Sequence, residues 1–312
     1  MRALRGRVFK LIFALLLASV LAEGQTLQVD HASFCGSDLD KMRQQFASVG
    51  LATEYGGPHK TVTHMALLGF DDGSYLELIA PVEPAKPMPA DQSWGKQMSG
   101  NAGPCAWAVE VSDIKAEVER LKKAGFKAEG PFPGERKKPD GTQIRWETGA
   151  VMDGERGSTL PFFIHDLTPR SNRVKPSPSV SGTELTGVAA VVIGVKDLNA
   201  AIKKFRKAYG WKNAVTATDR AFGARLAIFE GPPVVLATPL ASESWLGQHI
   251  DKYGDSPVAL LIETRSIGRS KGHLKTVGET EWFGRRLTWL DPESLGGAHV
   301  GVIELWMFPG RR

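Results

Sequence analysis

Cysteine is nearly absent from this chain: Cys35 and Cys105 are the only two among 312 residues. So small a number excludes a disulfide-rich scaffold and a zinc site built from paired cysteines. In an oxidising compartment the two could form one disulfide; otherwise they are buried free thiols. The sequence also offers no Ser-His-Asp arrangement and no phosphate-binding glycine loop, since Gly56-Gly57 and Gly296-Gly297 are typical of turns.

Long apolar runs are scarce as well. The run from Leu11 to Ala22 is too short to span a bilayer, and it follows four basic residues, Arg2, Arg5, Arg7 and Lys10. This order is typical of a secretory signal peptide, which we predict over residues 1–22 with cleavage after Ala22; an uncleaved membrane anchor is the alternative. We therefore expect a secreted or periplasmic protein without a membrane span.

The excess of positive charge is small once this segment is set aside. Removing residues 1–22 leaves 35 Lys and Arg against 34 Asp and Glu, a formal net charge of +1. Because nucleic-acid binding needs many basic groups on one face, this balance argues against a nucleic-acid partner. The basic run Arg136-Lys137-Lys138 is interpreted as a solvated loop.

One segment type recurs along the chain: a β-rich run, a Ser/Lys-Asp-Leu/Ile turn and an amphipathic helix. The turn aspartates Asp38, Asp113 and Asp197 are each predicted to cap the helix that follows. Each helix shows apolar residues at helical spacing and ends at a glycine suited to a left-handed conformation. The apolar sets and their glycines are Leu39, Met42, Phe46 and Gly50; Ile114, Val118, Leu121 and Gly125; Leu198, Ile202, Phe205 and Gly210.

The repeats predict four strand-rich units in two pairs. The first unit closes with a hairpin from Thr61 to Ile79, and the fourth, less regular unit runs from Val258 to Trp306. A Pro- and Ser-rich stretch over residues 168–183 is interpreted as an interdomain linker. The predicted domains are therefore residues 27–167 and residues 184–310.

Sequence motifs in the first half of the chain resemble those of a known family. Val29-Asp-His-Ala32 opens the first unit, Gly69-Phe-Asp-Asp-Gly-Ser-Tyr-Leu-Glu-Leu-Ile-Ala80 closes it, and Leu160-Pro-Phe-Phe-Ile164 closes the second. In these features residues 27–166 resemble the glyoxalase-like branch of the vicinal oxygen chelate superfamily, and residues 185–308 resemble it more loosely. The resemblance implies an α+β fold in which paired βαβββ modules form cupped mixed sheets, in two domains.

The resemblance also implies candidate metal ligands. In metal-dependent members, a histidine on the first strand and a carboxylate on the last strand of one module pair with equivalents from the second module. His31 and Glu77 occupy those places in the first module, but an offset of 75 carries His31 onto Ala106, and Phe162 stands at the carboxylate place. Two protein ligands rarely hold a catalytic metal.

His64 is a candidate third ligand. With a two-residue turn between the hairpin strands, His64 would share a face with Glu77, whereas a three-residue turn would reverse that. His31, His64 and Glu77 would then bind one divalent ion, such as Fe, Zn, Ni or Mn. A metal-free polar pocket and a structural hydrogen-bonded group are the alternatives.

The second domain offers fewer candidates. An offset of 159 carries His31 onto Ala190, and the third unit ends in the apolar run Val234 to Ala237. Glu304 alone remains, and a single Glu on a strand is more often solvent-facing or paired than a ligand. We expect this domain to bind no metal.

Apolar and aromatic side chains complete the candidate pocket of the first domain. Trp107, Trp146, Phe162 and Phe163 are candidates to line it, with core packing as the alternative. Tyr75 lies at strand spacing from Glu77 and should share its face. Cys35 and Cys105 lie at comparable places in two first strands, so an internal two-fold axis could bring them together, and we hypothesise that they are bridged.

Two functions follow from the resemblance. The first is an enzyme, a lyase, isomerase or dioxygenase acting on a small oxygenated molecule, with Glu77 as base or ligand and His31 as ligand or acid-base partner. The second is a metal-free protein that binds or sequesters a small molecule on the same fold, which the missing ligands at Ala106, Phe162 and Ala190 favour. The residues name neither the substrate nor the oligomeric state.

Overall fold

The computed structural model describes residues 25–59, 62–84, 86, 88, 92–212 and 214–304. The predicted signal peptide, residues 1–22, lies outside this description, as do Thr61 of the predicted hairpin and the final residues of the fourth unit. Among the described residues, no helix is both long and apolar enough to cross a membrane.

Eight strands from the first half of the chain form one mixed sheet. Its strands are β1 Val29–Cys35, β2 Glu54–His59, β3 Thr63–Gly69, β4 Tyr75–Pro81, β5 Gly103–Glu110, β6 Ala128–Lys137, β7 Gln143–Val151 and β8 Phe162–Asp166. Their spatial order is β2-β3-β4-β1-β5-β8-β7-β6. Strand β1 pairs in parallel with β4 and antiparallel with β5, so two four-stranded modules join at their first strands.

The second half of the chain repeats this arrangement. Its strands are β9 Leu185–Gly194, β10 Val215–Asp219, β11 Ala224–Ile228, β12 Val234–Pro239, β13 Ser256–Thr264, β14 Thr276–Trp282, β15 Arg285–Leu290 and β16 His299–Glu304. The order β10-β11-β12-β9-β13-β16-β15-β14 matches that of the first sheet strand for strand. The predicted α+β fold of paired modules in two curled mixed sheets is therefore confirmed.

Helices are few and short. They are α1 Leu39–Ser48, α2 Gly95–Ser99, α3 Ile114–Lys123, α4 Arg170–Arg173, α5 Leu198–Tyr209, α6 Trp245–Tyr253 and α7 Ile267–Ser270, with a 3-10 helix over Pro178–Val180. The side chains of Asp38, Asp113 and Asp197 accept hydrogen bonds from the third backbone N–H of α1, α3 and α5. These caps occupy donors that no helical carbonyl reaches, as predicted.

Helices α1, α3 and α5 end at the positions predicted from the glycines in the sequence. Gly50, Gly125 and Gly210 have positive φ angles of 93°, 80° and 71°, a conformation that glycine adopts without a steric penalty. The chain then turns back toward its sheet. The apolar stripes of α1, α3 and α5 pack in one core cluster together with β1, β5, β9 and β13 residues such as Phe34, Trp107 and Val191.

The two sheets share this core. Strand β5 contacts β13, and β1 contacts β9. Polar contacts join the halves as well: the Trp211 indole donates to the Gln25 carbonyl at 2.7 Å, and the Val188 amide donates to Ser74 Oγ at 2.9 Å. The helix-bearing sides of the sheets therefore face each other, and the opposite, concave faces point away from the shared core.

The segment predicted as a linker packs against the first sheet. The Ser177 amide donates to the Gly69 carbonyl at 3.0 Å, and Ser179 Oγ donates to the Ala52 carbonyl at 2.7 Å. Helix α4 within this segment carries Arg170 and Arg173 back to the start of β1. The domain boundaries on either side of it stay a prediction.

A disulfide joins the two central strands of the first sheet. Cys35 on β1 and Cys105 on β5 are bonded, with Cα atoms 5.8 Å apart. Both are buried in an apolar cluster on the concave side. The hypothesis that these two cysteines, at comparable places in two first strands, are bridged is confirmed.

Candidate functional site

The concave face of the first sheet encloses a cavity of about 710 Å³, here called the cup. This volume lies in the range of small-molecule sites. Strands from the middle and from both edges contribute to it, and the edge strands β2 and β6 come into contact above it. The polar residues lining the cup include His31, His59, Tyr75, Glu77, Arg136 and Arg156.

Strand register brings the first-module candidates onto one face. In the parallel pairing of β1 with β4, His31 lies beside Tyr75 and Ser33 beside Glu77. Because strand side chains alternate between faces, these four point into the cup together. The expectation that Tyr75 shares the face of Glu77 holds, and His31 joins them.

Glu77 lies on the cup floor between two imidazoles. Its Oε2 is 3.8 Å from His31 Nε2, its Oε1 is 3.9 Å from His59 Nε2, and Ser33 Oγ donates a hydrogen bond to Oε2 at 2.9 Å. Glu77 is 6% exposed. A buried carboxylate held in this way is fixed in position with both oxygens directed at polar groups.

Electrostatics keep Glu77 ionised. Burial opposes the charge, but the nearby His31 and His59, the Ser33 hydrogen bond and Arg136 outweigh it and lower the pKa of Glu77 below its ordinary value. Burial also lowers the pKa of His59, against the opposing pull of Glu77. At neutral pH the site therefore presents a carboxylate beside a neutral His59 imidazole.

Asp30 fixes the orientation of His31. Asp30 Oδ1 lies 2.5 Å from His31 Nδ1, so that Nδ1 carries the proton and Nε2 faces the cup. A bulge at Asp30 in the pairing with β5 allows the side chains of these adjacent residues to meet. Strand alternation alone would separate them.

Arg173 in turn holds Asp30. Its Nη1 and Nη2 donate to the two Asp30 oxygens at 2.8 and 2.7 Å, and its Nη1 also donates to the Tyr75 hydroxyl at 2.7 Å. Burial raises the pKa of Asp30, but the hydrogen bonds and charge of Arg173 dominate and hold it far below its ordinary value. Arg173 thus fixes the Asp30 carboxylate, and Asp30 in turn fixes the orientation of the His31 imidazole.

Aromatic rings form part of the cup wall. Tyr75 stacks on the His31 ring with centroids 4.7 Å apart, and Phe162 meets the same ring edge-on at 5.3 Å. Trp94 and Trp146 also line the cavity. The placement of Phe162 and Trp146 agrees with the sequence prediction.

His64 lies on the other face of the sheet. Phe70 and Ser74 pair across the hairpin and leave the three-residue turn Asp71-Asp72-Gly73. Leu67 therefore pairs with Glu77, and His64 pairs with Ala80. The three-residue alternative is therefore the one that occurs, so the prediction of His64 as a ligand or a substrate contact beside His31 and Glu77 was wrong.

Trp107 also points away from the cup. It is fully buried in the core shared by the two sheets, and its indole donates to the Thr159 carbonyl at 3.0 Å. Its neighbours Ala106 and Ala108 lie on the cup side. The alternative reading of Trp107 as a core residue is the right one, and the same holds for Phe163.

The residues present do not fit the ion of the metal-dependent relatives. Ser33 pairs with Glu77 as Ala108 pairs with Phe162, so register confirms that Phe162 stands where the second carboxylate would be. Among the described residues, no three His, Cys, Asp or Glu side chains are close enough to hold a metal.

Arg136 corrects the interpretation of the basic run. It lies on β6 rather than in a solvated loop and is only 5% exposed. Its Nη1 donates to the Gly56 carbonyl of β2 at 2.5 Å. Arg156, from the loop before β8, lies against the rings of Trp94 and Phe162 at 4.8 and 4.9 Å.

Sequence reasoning missed several site residues. His59 follows Gly56-Gly57-Pro58, and its pairing with Thr63 places it on the cup face; the length of the β2–β3 hairpin could have indicated this. Asp30 sits next to His31 in the quoted motif, but only the bulge makes it a partner. Arg136, Arg156 and Arg173 carry no local signal, because they reach the site through the curl of the sheet and a returning helix.

The corresponding face of the second sheet is filled with apolar side chains. Val192 pairs with Val235, so Val235 stands at the place of Glu77, and Ala190 stands at that of His31. These residues belong to an apolar cluster completed by Phe222 and Trp282. Glu304 makes a surface ion pair with Arg286 at 3.4 Å. The first sheet therefore carries the candidate site.

The family model that matches this chain is described as a glyoxalase-like domain and covers residues 29–209, more than half of the chain. The chain belongs to the glyoxalase-like domain family. This family and the fold place it in the vicinal oxygen chelate superfamily. The match includes the whole first sheet and its cup, together with β9 and α5 of the second.

Solved structures show the same fold. A hypothetical protein from Staphylococcus aureus is 16% identical to the glyoxalase-like chain, with a TM-score of 0.59 over 89% of this chain and 100% of that one. A triple mutant of 4-hydroxymandelate synthase from Streptomyces coelicolor is 13% identical, with a TM-score of 0.56 over 92% of this chain and 94% of that one. No curated protein matches the chain.

A shorter similarity is found to methylmalonyl-CoA epimerase from Mycobacterium tuberculosis. It is 22% identical over 39% of this chain and 89% of that one, with a TM-score of 0.34. The two longer matches, at 16% and 13% identity, establish the fold alone.

Proposed function

We propose that this protein is an enzyme that acts on a small oxygenated molecule in the first-domain cup, and that it does so as an isomerase or lyase by proton transfer. The observation that carries the proposal is Glu77: a buried, ionised carboxylate on the floor of a cavity of about 710 Å³. A carboxylate in such a place accepts a proton from a carbon next to a carbonyl or carboxylate group.

The neighbouring groups suit that step. When Glu77 takes the proton, the electron pair of the C–H bond moves onto the substrate oxygen and forms an enolate. The neutral His59 imidazole and the His31 Nε2 lie at the same carboxylate, so both are placed beside the reacting carbon. In a hydroxycarbonyl substrate, return of the proton from Glu77 to the former carbonyl carbon on the same face, with the hydroxyl proton moving to the other oxygen, completes an isomerisation. Loss of a neighbouring leaving group with its electron pair completes an elimination instead.

Proton exchange tests this without knowledge of the natural substrate. We expect the wild-type protein in D2O to place deuterium at C3 of a 2-oxo acid or at C2 of a 2-hydroxy acid, for at least one acid in a panel of both kinds, measured by NMR. Glu77→Gln removes the acceptor and should slow the exchange by about 10²-fold or more. The matched control Glu147→Gln changes a carboxylate on β7 whose neighbours Trp146 and Thr148 line the cup, and it should exchange like wild type.

Equal exchange in wild type and Glu77→Gln would refute the proposal. Metal analysis of protein purified without chelators gives the second arm. About one bound ion per chain, lost in both His31→Ala and Glu77→Gln, would replace proton transfer with the metal-dependent chemistry, dioxygenase activity included.

A metal-free binding protein is the second candidate, and the apolar residues Ala106 and Phe162 at the missing ligand places favour it. It predicts saturable binding of a panel acid that survives chelator treatment, with no exchange in the wild-type protein. Exchange by wild type, lost in Glu77→Gln, decides for the enzyme.

We also propose that the protein acts in the periplasm or outside the cell. The disulfide between Cys35 and Cys105 supports this, because disulfides persist in oxidising compartments. The N-terminus of protein recovered from an exporting host, read by mass spectrometry, should be Glu23; an intact Met1 would contradict export.

A further inference from the structure

Two arginines of the cup have N–H groups with no partner among the described residues. Arg136 Nη2 and Arg156 Nε are both buried and unpaired. Both side chains line the cavity, and that of Arg136 is 5% exposed. Because a buried, charged donor without an acceptor is costly, a cavity that holds two of them is suited to an anionic ligand.

The distribution of charge around the cup also favours an anionic ligand. Arg173 is neutralised by Asp30 and Asp166, with distances of 2.7 Å to each carboxylate. Arg136 and Arg156 make no ion pair with a described carboxylate at salt-bridge distance, and Glu77 is the buried carboxylate whose charge acts on both. The buried carboxylate that acts on both guanidinium groups is thus one that Ser33 and the imidazoles already hold, and the less buried Glu155 also acts on Arg156.

The surroundings of Arg156 orient its guanidinium. It lies over the rings of Trp94 and Phe162, and the Trp94 indole donates to the Arg156 carbonyl at 2.9 Å. Stacking on two rings removes water from the guanidinium faces and leaves its edge for hydrogen bonds. A planar carboxylate matches such an edge better than any neutral group.

Arg136 is held from the opposite edge of the sheet. Its Nη1 bond to the Gly56 carbonyl of β2 closes the cup and fixes the guanidinium. The cup is also lined by apolar side chains that suit a hydrocarbon or aromatic body, among them Met65, Ile79, Trp146 and Ile164.

We propose that Arg136 and Arg156 bind the carboxylate of the ligand, so that the cup takes a small organic acid with an apolar or aromatic body. This inference rests on the proposed function in one respect: the bound carboxylate would position the reacting carbon of the ligand next to Glu77. The binding itself requires no turnover.

Binding of phenylpyruvate and of its uncharged methyl ester, measured by ligand-observed NMR and calorimetry at pH 7, tests it. We expect the wild type to bind the acid at least about tenfold more tightly than the ester, since hydrogen bonds to charged groups are involved. Arg156→Gln should weaken acid binding by about tenfold or more and leave ester binding unchanged. Glu77→Gln should tighten acid binding, because it removes the competing negative charge.

Arg136→Met is expected to behave like Arg156→Gln. Because Arg136→Met also removes the hydrogen bond to Gly56, its folding is checked by circular dichroism. If Arg136→Met does not fold, Arg156→Gln still decides the test. Arg225→Gln, an exposed arginine of β11 in the second domain, is the matched control and should bind the acid like wild type.

Equal binding of acid and ester by wild type, or unchanged acid binding by Arg156→Gln, would overturn the inference. Displacement of the acid by equimolar inorganic phosphate would overturn the assignment of a carboxylate. Loss of exchange without loss of binding in Glu77→Gln supports both proposals, whereas acid binding together with normal exchange in that variant overturns the proposed function alone.

Discussion

At the scale of single residues, the site depends on a buried charge pair. Asp30 is fully buried, and Arg173 is 4% exposed. The pair makes two hydrogen bonds, of 2.8 and 2.7 Å, and Arg173 carries these interactions on to Asp166 and Tyr75. A buried pair of this kind stabilises little against an apolar replacement, yet removal of one partner leaves a buried charge without its two-hydrogen-bond partner.

Asp30→Asn should therefore lower the free energy of unfolding by about 3–5 kcal/mol. The double variant Asp30→Asn, Arg173→Met should lose less than the sum of the two single variants, because each single variant already loses the Asp30–Arg173 interaction and the double variant loses it only once. Urea unfolding of the four proteins measures this. Additive losses would mean that the pair does not act as a unit.

At the scale of elements, the disulfide joins β1 and β5, the two strands at which the modules meet. It closes a sequence separation of 70 residues. In the chain-entropy account, a cross-link over such a distance restricts the unfolded chain and stabilises the fold by about 2–4 kcal/mol. The strands also pair by backbone hydrogen bonds, so their register does not depend on the cross-link.

Cys35→Ala, Cys105→Ala protein should fold with the same circular dichroism and unfold at lower urea concentration. Reduced wild-type protein is the matched control and should show a similar loss. The denatured, non-reduced wild type should contain no free thiol. Two free thiols, or an unchanged urea midpoint in the double variant, would contradict the prediction.

Elements also show where sequence reasoning stops. The period of two along β4 correctly placed Tyr75 and Glu77 on one face, because alternation within a strand follows from backbone geometry. The face of His64 depended on one residue of turn length, which the run Asp71-Asp72-Gly73 left open between two and three. A one-residue difference moves every side chain of the partner strand to the other face.

At the scale of the whole molecule, the second domain carries partly buried histidines that make stability depend on pH. Burial, aided by the charges of Lys252 and His299, lowers the pKa of His249 to about 4, and burial lowers the pKa of His299 to about 4. His299 stacks on Trp245 with ring centroids 4.1 Å apart. Both groups are therefore neutral in the folded protein under conditions in which they are charged in the unfolded chain.

Between pH 6.5 and about 4, the unfolded chain binds more protons at these two positions than the folded protein does. The free energy of unfolding should therefore fall as the pH is lowered through this window, and these residues should contribute no change above it. Thermal unfolding at a series of pH values measures the slope.

The variant His249→Asn, His299→Phe should have a shallower slope, whatever its stability at pH 7. His273→Gln, a change at an exposed histidine, should keep the wild-type slope. A slope that is equal in all three proteins would show that other groups cause the acid sensitivity.

The sequence by itself determined what depends on neighbouring residues. The turn aspartates and glycines set the helices of three modules, and the recurrence of these units fixed the fold, because caps and periodicity act within about a dozen residues. The same repeat placed His31, Glu77 and both cysteines on the strands at the centre of the first sheet.

Only the tertiary structure decided which charges meet. Arg136 reaches Gly56 across 80 residues, and Arg173 reaches Asp30 across 143. Such contacts depend on the curl of the sheet and on a helix that folds back, and neither leaves a periodic signal in the sequence. Local sequence patterns thus predicted the fold and part of the site. The positions of the arginines around Glu77 depend instead on how the sheet curls and closes.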